Sequence, residues 1–173
     1  PAGIAVDPDV SAAPGLQSRI FVTNAGNRTI SVIDGQTDAV AATVSTISKY
    51  PSGIGVDTNL HRVYVAARDS NVVVVMNGAT SIVEDFLGVG HMPTAVAVDS
   101  TSGRAYIANT GSDSMTIIDT VNNAILKTVT VPVPPEPAAA TSSPAGLAVD
   151  PDTSAATGAQ SIVYISVLQN AVW

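Results

Sequence analysis

Pro51-Ser52-Gly53-Ile54-Gly55-Val56-Asp57 decides the fold, because the chain repeats it. The tetrad Ile54-Gly55-Val56-Asp57 has an earlier copy in Ile4-Ala5-Val6-Asp7. Two later copies follow, Val96-Ala97-Val98-Asp99 and Leu147-Ala148-Val149-Asp150. Each tetrad has a proline three residues upstream, at Pro1, Pro51, Pro93 and Pro144, with offsets of 50, 42 and 51 residues. A fixed period in this range marks a chain built from repeated supersecondary units.

Downstream of each tetrad stands an aromatic motif: Phe21-Val22-Thr23-Asn24, Tyr64-Val65-Ala66-Ala67, Tyr106-Ile107-Ala108-Asn109 and Tyr164-Ile165-Ser166-Val167. The gaps from tetrad Asp to aromatic are 14, 7, 7 and 14, so the outer copies share a seven-residue insertion. A third motif follows the aromatic at a constant 13 residues, from 21 to 34, 64 to 77 and 106 to 119: Ser31-Val32-Ile33-Asp34, Val74-Val75-Met76-Asn77 and Thr116-Ile117-Ile118-Asp119. A fourth apolar run comes after a polar turn, at 39–44, 82–87 and 124–131.

These runs are short, rich in Val, Ile, Thr and Tyr, and bounded by Gly, Asn, Asp, Ser or Pro, which reads as strands. No segment sustains an apolar period of 3.6, so almost no helix is expected. Four antiparallel strands per repeat give an all-β chain of β-propeller blades. The division is 1–50 for blade 1, 51–92 for blade 2, 93–143 for blade 3 with a Pro-rich loop at 131–144, and 144–173 for the first half of blade 4. Three blades are complete and the fourth stops halfway, because the 13-residue spacing puts its third-strand Asp at position 177. The chain is therefore expected to belong to a longer polypeptide or an assembly. The second tetrad position is always small (Ala5, Gly55, Ala97, Ala148), as close blade-to-blade approach requires.

Composition narrows the function. Across 173 residues, 46% are hydrophobic and 12% charged, which excludes a disordered chain. A net charge of −7 repels phosphate backbones, so no nucleic-acid partner is expected, and no apolar run reaches bilayer-spanning length. The absence of cysteine removes disulfides, thiolate metal sites and cysteine nucleophiles.

The wording of the repeats resembles the YVTN-family β-propeller repeat. Phe21-Val22-Thr23-Asn24 with Ile30-Ser31-Val32-Ile33-Asp34 is one near copy, and Tyr106-Ile107-Ala108-Asn109 with Thr116-Ile117-Ile118-Asp119 another. The resemblance implies an exported, periplasmic or cell-surface protein. It also implies that the tetrad strand is innermost, and that fourth-to-first and second-to-third loops share a ligand face. On that face fall His91 and Met92, before Pro93, with Arg28 and Arg68 in second-to-third turns; these four are the candidate binding residues. His61 falls on the opposite face. No catalytic residue, metal site or cofactor is expected. The Asp7-Pro8-Asp9 and Asp150-Pro151-Asp152 turns could offer calcium oxygens but read first as ordinary turn formers. The per-blade Asp and Asn residues read as structural turn caps. The expected role is a non-catalytic binding or structural propeller segment with a protein or carbohydrate ligand. The alternative is part of a lactonase-, streptogramin-lyase- or quinoprotein-like enzyme with its chemistry in other blades.

Overall fold

The computed structural model describes residues 1–8, 18–46, 50–132, 142–151 and 161–169. They form fourteen strands: β1 (Gly3–Asp7), β2 (Arg19–Asn24), β3 (Thr29–Asp34), β4 (Val40–Ser45), β5 (Pro51–Asp57), β6 (Arg62–Ala67), β7 (Val72–Asn77), β8 (Val83–Gly88), β9 (Pro93–Asp99), β10 (Arg104–Asn109), β11 (Ser114–Asp119), β12 (Ala124–Thr130), β13 (Ser142–Asp150) and β14 (Ile162–Gln169). Three antiparallel sheets, β1-β2-β3-β4, β5-β6-β7-β8 and β9-β10-β11-β12, each run in chain order, and β13 pairs with β14 alone. The described helical content is two single 3-10 turns, Arg68–Ser70 and Thr110–Ser112. This is a propeller with three complete blades and half of a fourth.

The three tetrad strands β1, β5 and β9 lie successively against one another, and β13 lies against β9, so the small-residue strands are innermost. Gly55 shows why they are small. A Cβ built there would sit 2.9 Å from both Val96 Cγ1 and Val98 Cγ2 of the next blade. Gly53 is tighter still, with a Cβ 2.5 Å from the Thr94 carbonyl oxygen. The opening prolines sit at or beside register shifts in the first strand, at Pro51/Ile54 and Pro144/Gly146, and Pro93 pairs across the shift at Ala108/Asn109. A residue without an N–H cannot extend a ladder, so it is tolerated at a strand start or bulge. The fourth strand of every complete blade carries a second shift, opposite Val32/Ile33, Val75/Met76 and Ile117/Ile118.

The core is a set of blade-to-blade layers. Phe21, Ile30 and Val32 of blade 1 pack on Ile54, Val56, Val63, Val65, Val74 and Met76 of blade 2. Tyr64, Val73 and Val75 on the other side of blade 2 pack on Ala105, Ile107 and Ile118 of blade 3. Alternation along each strand sends odd and even residues into different layers. Each fully buried aliphatic side chain contributes roughly 1.5–3 kcal/mol.

Candidate functional site

Left-handed residues recur blade by blade and shape the loops of one face. Arg28, Asn71 and Asp113 (φ 58, 56 and 44°) occupy equivalent positions between second and third strands, and Tyr50 and Met92 (φ 58 and 50°) each stand directly before an opening proline. Backbone hydrogen bonds knit the two loop types together. Thr46 N–H donates to Arg28 O, Val89 to Asn71 O and Val131 to Asp113 O. Arg68 N–H donates to Tyr50 O and Thr110 to Met92 O. Fourth-to-first and second-to-third loops therefore do share one face.

The four candidate residues sit on these loops but do not converge into one site by any contact among the described residues. Arg28 and Arg68 are exposed. His91 is exposed; its N–H donates to Ser112 Oγ (3.0 Å) and its carbonyl accepts from Gly111 N–H (2.9 Å). Met92 is half-buried, with N–H donated to Asn71 Oδ1 (3.0 Å) and its side chain against Gly111. Deeper on this face, hydroxyls tie each blade to the next. Thr23 donates to Ser52 O (2.8 Å), Ser52 to Pro93 O (3.2 Å) and Thr110 to Pro144 O (2.7 Å).

The opposite face holds the charged chemistry. Asp34, Asn77 and Asp119 each accept the N–H groups of the residues two and three ahead, as turn caps. Asp57 and Asp99 cap their own turns through Oδ1 in the same way. Backbone donors, Thr37 before Gln36, hold the Asp34 carboxyl below its ordinary value of 3.8, and the Asn122 side-chain amide leads the same effect at Asp119. At Asp99 burial pushes upward, yet hydrogen bonds from Ser102, Ser161 and Thr101 outweigh it and the carboxyl stays low.

The second oxygens of Asp7, Asp57 and Asp99 cross to the next blade. Asp7 Oδ2 lies 2.8 Å from His61 Nδ1, and Asp99 Oδ2 accepts from the Ser161 hydroxyl. His61 and Ser161 both stand directly before a second strand. In blade 3 that position is Gly103, which has no side chain to offer, and Asp57 Oδ2 instead takes the buried Thr120 hydroxyl at 2.6 Å. His61 is thus a structural tie. A hollow of about 250 Å³ on this face is lined by Asp57, Asn59, Leu60, Ser100, Thr120 and Val121 among others, and Asp57 and Thr120 already bond each other there.

Arginines that spacing alone did not single out complete this face. Arg19 Nη1 donates to Gly78 O (2.6 Å) and Ala79 O (2.5 Å); Arg62 Nη1 donates to Thr120 O (2.5 Å) and approaches Asn123 Oδ1 (3.3 Å). Arg62 Nε also pairs with Glu84 at 3.0 Å. The buried Tyr64 hydroxyl reaches Asn123 Oδ1 at 3.0 Å, and burial pushes its pKa up to about 12. Their signal was present as Arg-x-aromatic in Arg19-Ile20-Phe21, Arg62-Val63-Tyr64 and Arg104-Ala105-Tyr106. Among the described residues, no three acidic or histidine side chains gather as a metal site, and no helix is long and apolar enough to cross a membrane. Residues 9–17 and 152–160, which hold Asp9, Asp152 and most of the shared insertion, lie outside the described residues, as do 133–141 of the Pro-rich loop.

Comparison with known proteins agrees with the architecture. No family model matches the chain. It is 29% identical over 120 residues to the uncharacterized protein YwhL of Bacillus subtilis, covering 69% of this chain and 26% of that protein. It is 23% identical over 132 residues to the uncharacterized protein YncE of Salmonella typhi, covering 73% and 37%. Among solved structures, Kuenenia stuttgartiensis hydrazine synthase superposes with a TM-score of 0.74 at 20% identity, over 88% of this chain and 39% of that one. The RRP9 WD40 repeats superpose at 0.66 with 11% identity, over 84% and 41%. The chain spans well under half the length of the YwhL and YncE proteins it matches.

Proposed function

We propose that this chain is a non-catalytic, structural or ligand-binding segment of a larger propeller of the YVTN-repeat type, in an exported or cell-surface protein. The observation that carries this reading is the contrast between equivalent tetrad residues. Ile54 and Val56 are each 9% exposed under blade 1, whereas Ile4 and Val6 of blade 1 are 67% and 48% exposed. Ile4, with Pro1, Gly3 and Val22, borders an apolar hollow of about 400 Å³. A face built from core positions favours a neighbour of the same kind, because uncovered apolar surface drives association. Further blades, or an assembly partner, supply that neighbour.

The engaged polar groups support a non-catalytic role, since Asp7, Asp57, Asp99, His61, Arg19 and Arg62 are used in holding blades and turns. Arg28, Arg68, His91 and Met92 then form a contact surface for a protein or carbohydrate ligand. The net charge of −7 disfavours nucleic acid.

The purified chain tests the reading. It should self-associate with rising concentration in sedimentation and bind an apolar dye. Replacing Ile4 and Val6 together by Asp should suppress both while leaving β6 and β10 amides protected from exchange. A monomer across the concentration range, with no dye binding, would overturn it.

A further inference from the structure

The arginine two residues before the core aromatic has the same task in blades 1 and 2. From the start of the second strand it crosses to the third-to-fourth turn of the next blade and donates to its carbonyls: Arg19 to Gly78 and Ala79, Arg62 to Thr120. Arg104 is the blade 3 equivalent. It is exposed, and among the described residues it donates no hydrogen bond to another blade. Its charge acts on Asp119 of its own blade, and by equivalence with Arg19 and Arg62 its cross-blade partner is the third-to-fourth turn of a completed fourth blade, beside β14. Among the described residues β14 pairs with β13 only, so its other edge presents unmatched N–H and C=O groups there. Tyr164 on this strand is 57% exposed, while its equivalent Tyr64 is 0%.

We infer that the free edge of β14 and Arg104 form one receptor for a β-hairpin of the same type as β11–β12. This rests on the propeller-segment reading and names the partner's chemistry at one end of it. Three completed blades define that chemistry. Opposite the aromatic stands Val32, Val75 or Ile117, and opposite the residue two before it stands Asp34, Asn77 or Asp119. That Asp or Asn bends the following turn by accepting its N–H groups. In blades 2 and 3 the carbonyls of that turn face the preceding blade's arginine. The hairpin therefore carries a β-branched aliphatic residue opposite Tyr164 and an Asp or Asn opposite Ile162. Its turn then supplies carbonyl oxygens to Arg104. Strand addition matches the free edge, and the side-chain period of two sets the register, because a one-residue slip would turn the aliphatic partner to the wrong face.

A synthetic peptide of residues 114–131, the third and fourth strands of blade 3, is the probe. It is titrated into the full chain and followed by hydrogen exchange. The β14 amides should slow at least about tenfold at saturation, while β6 and β10 stay as protected as before. Arg104→Ala should weaken half-saturation by about tenfold, and a peptide carrying Ile117→Asp should not protect β14. Three results would overturn the proposal: unchanged β14 exchange in an otherwise protected chain, equal protection by a scrambled peptide, or protection that rises with chain concentration alone. The last would mean that β14 pairs with a second copy. The outcome is separable from the Ile4 and Val6 test, which reads sedimentation and dye binding at the other end of the molecule.

Discussion

Blade 2 and the half-blade are written in the same repeat yet live in different environments. Tyr64 is closed in by blade 3, with its hydroxyl bonded to Asn123, whereas Tyr164 at the same repeat position is mostly in water. The second tetrad position of blade 2 is Gly55, pressed against two valines, while Ala148 in the half-blade is exposed. Arg62 is bound to the following blade, and among the described residues Arg104 is not. The stability of a blade here is a property of its neighbours: the same residue is core or surface according to whether another sheet lies over it.

The largest expected effect breaks or confirms that contrast directly. Tyr64→Ala should cost about 3–5 kcal/mol by urea unfolding, combining lost burial with a cavity, while Tyr164→Ala should cost less than about 1 kcal/mol. Equal losses would mean that Tyr164 is covered in solution. Next comes the tetrad position. Gly55→Val should destabilise by about 1–3 kcal/mol, because its first side-chain atom already overlaps Val96 and Val98, whereas Ala148→Val should change little.

Arg62→Ala should cost about 1–2 kcal/mol, since it leaves the Thr120 carbonyl and Glu84 without their charged partner. Arg104→Ala should stay within about 0.5 kcal/mol in the chain alone, and a larger loss would show that Arg104 is already engaged. The smallest effect is in pH. The carboxyls of Asp34, Asp99 and Asp119 are lowered on folding, so their contribution is present above the ordinary value of 3.8 and lost as pH falls below it. Stability should therefore decline on the acid side of about pH 4, and these groups should hold it constant between about pH 5 and 8. Ser161→Ala should raise the Asp99 pKa in a carboxyl NMR titration and leave Asp34 unmoved, because only Asp99 takes a bond from the half-blade.

The repeat arithmetic was legible because it is local. Pro-x-x-tetrad, the aromatic motif and the 13-residue spacing are set by strand length and turn chemistry, and turn caps such as Asp34 and Asp119 act on residues two and three ahead. The ties between blades were not legible. Asp7 and His61 are 54 residues apart, and nothing in their spacing pairs them. Asp57 reaches Thr120 because Gly103 leaves the usual donor position empty, a substitution of partners that appears only once both turns are side by side. The Arg-x-aromatic triplets were visible as letters, but a long flexible side chain does not announce its direction.

The sequence by itself determined the strands, their order within each sheet, the small inner residues and the position of the turns, since these depend on neighbours within one repeat. Only the tertiary structure decided which faces are buried, which aspartate meets which donor, and which of three equivalent arginines is exposed. The physical reason is that burial and inter-blade hydrogen bonds depend on how sheets stack, and stacking joins residues whose separation along the chain carries no record of their contact.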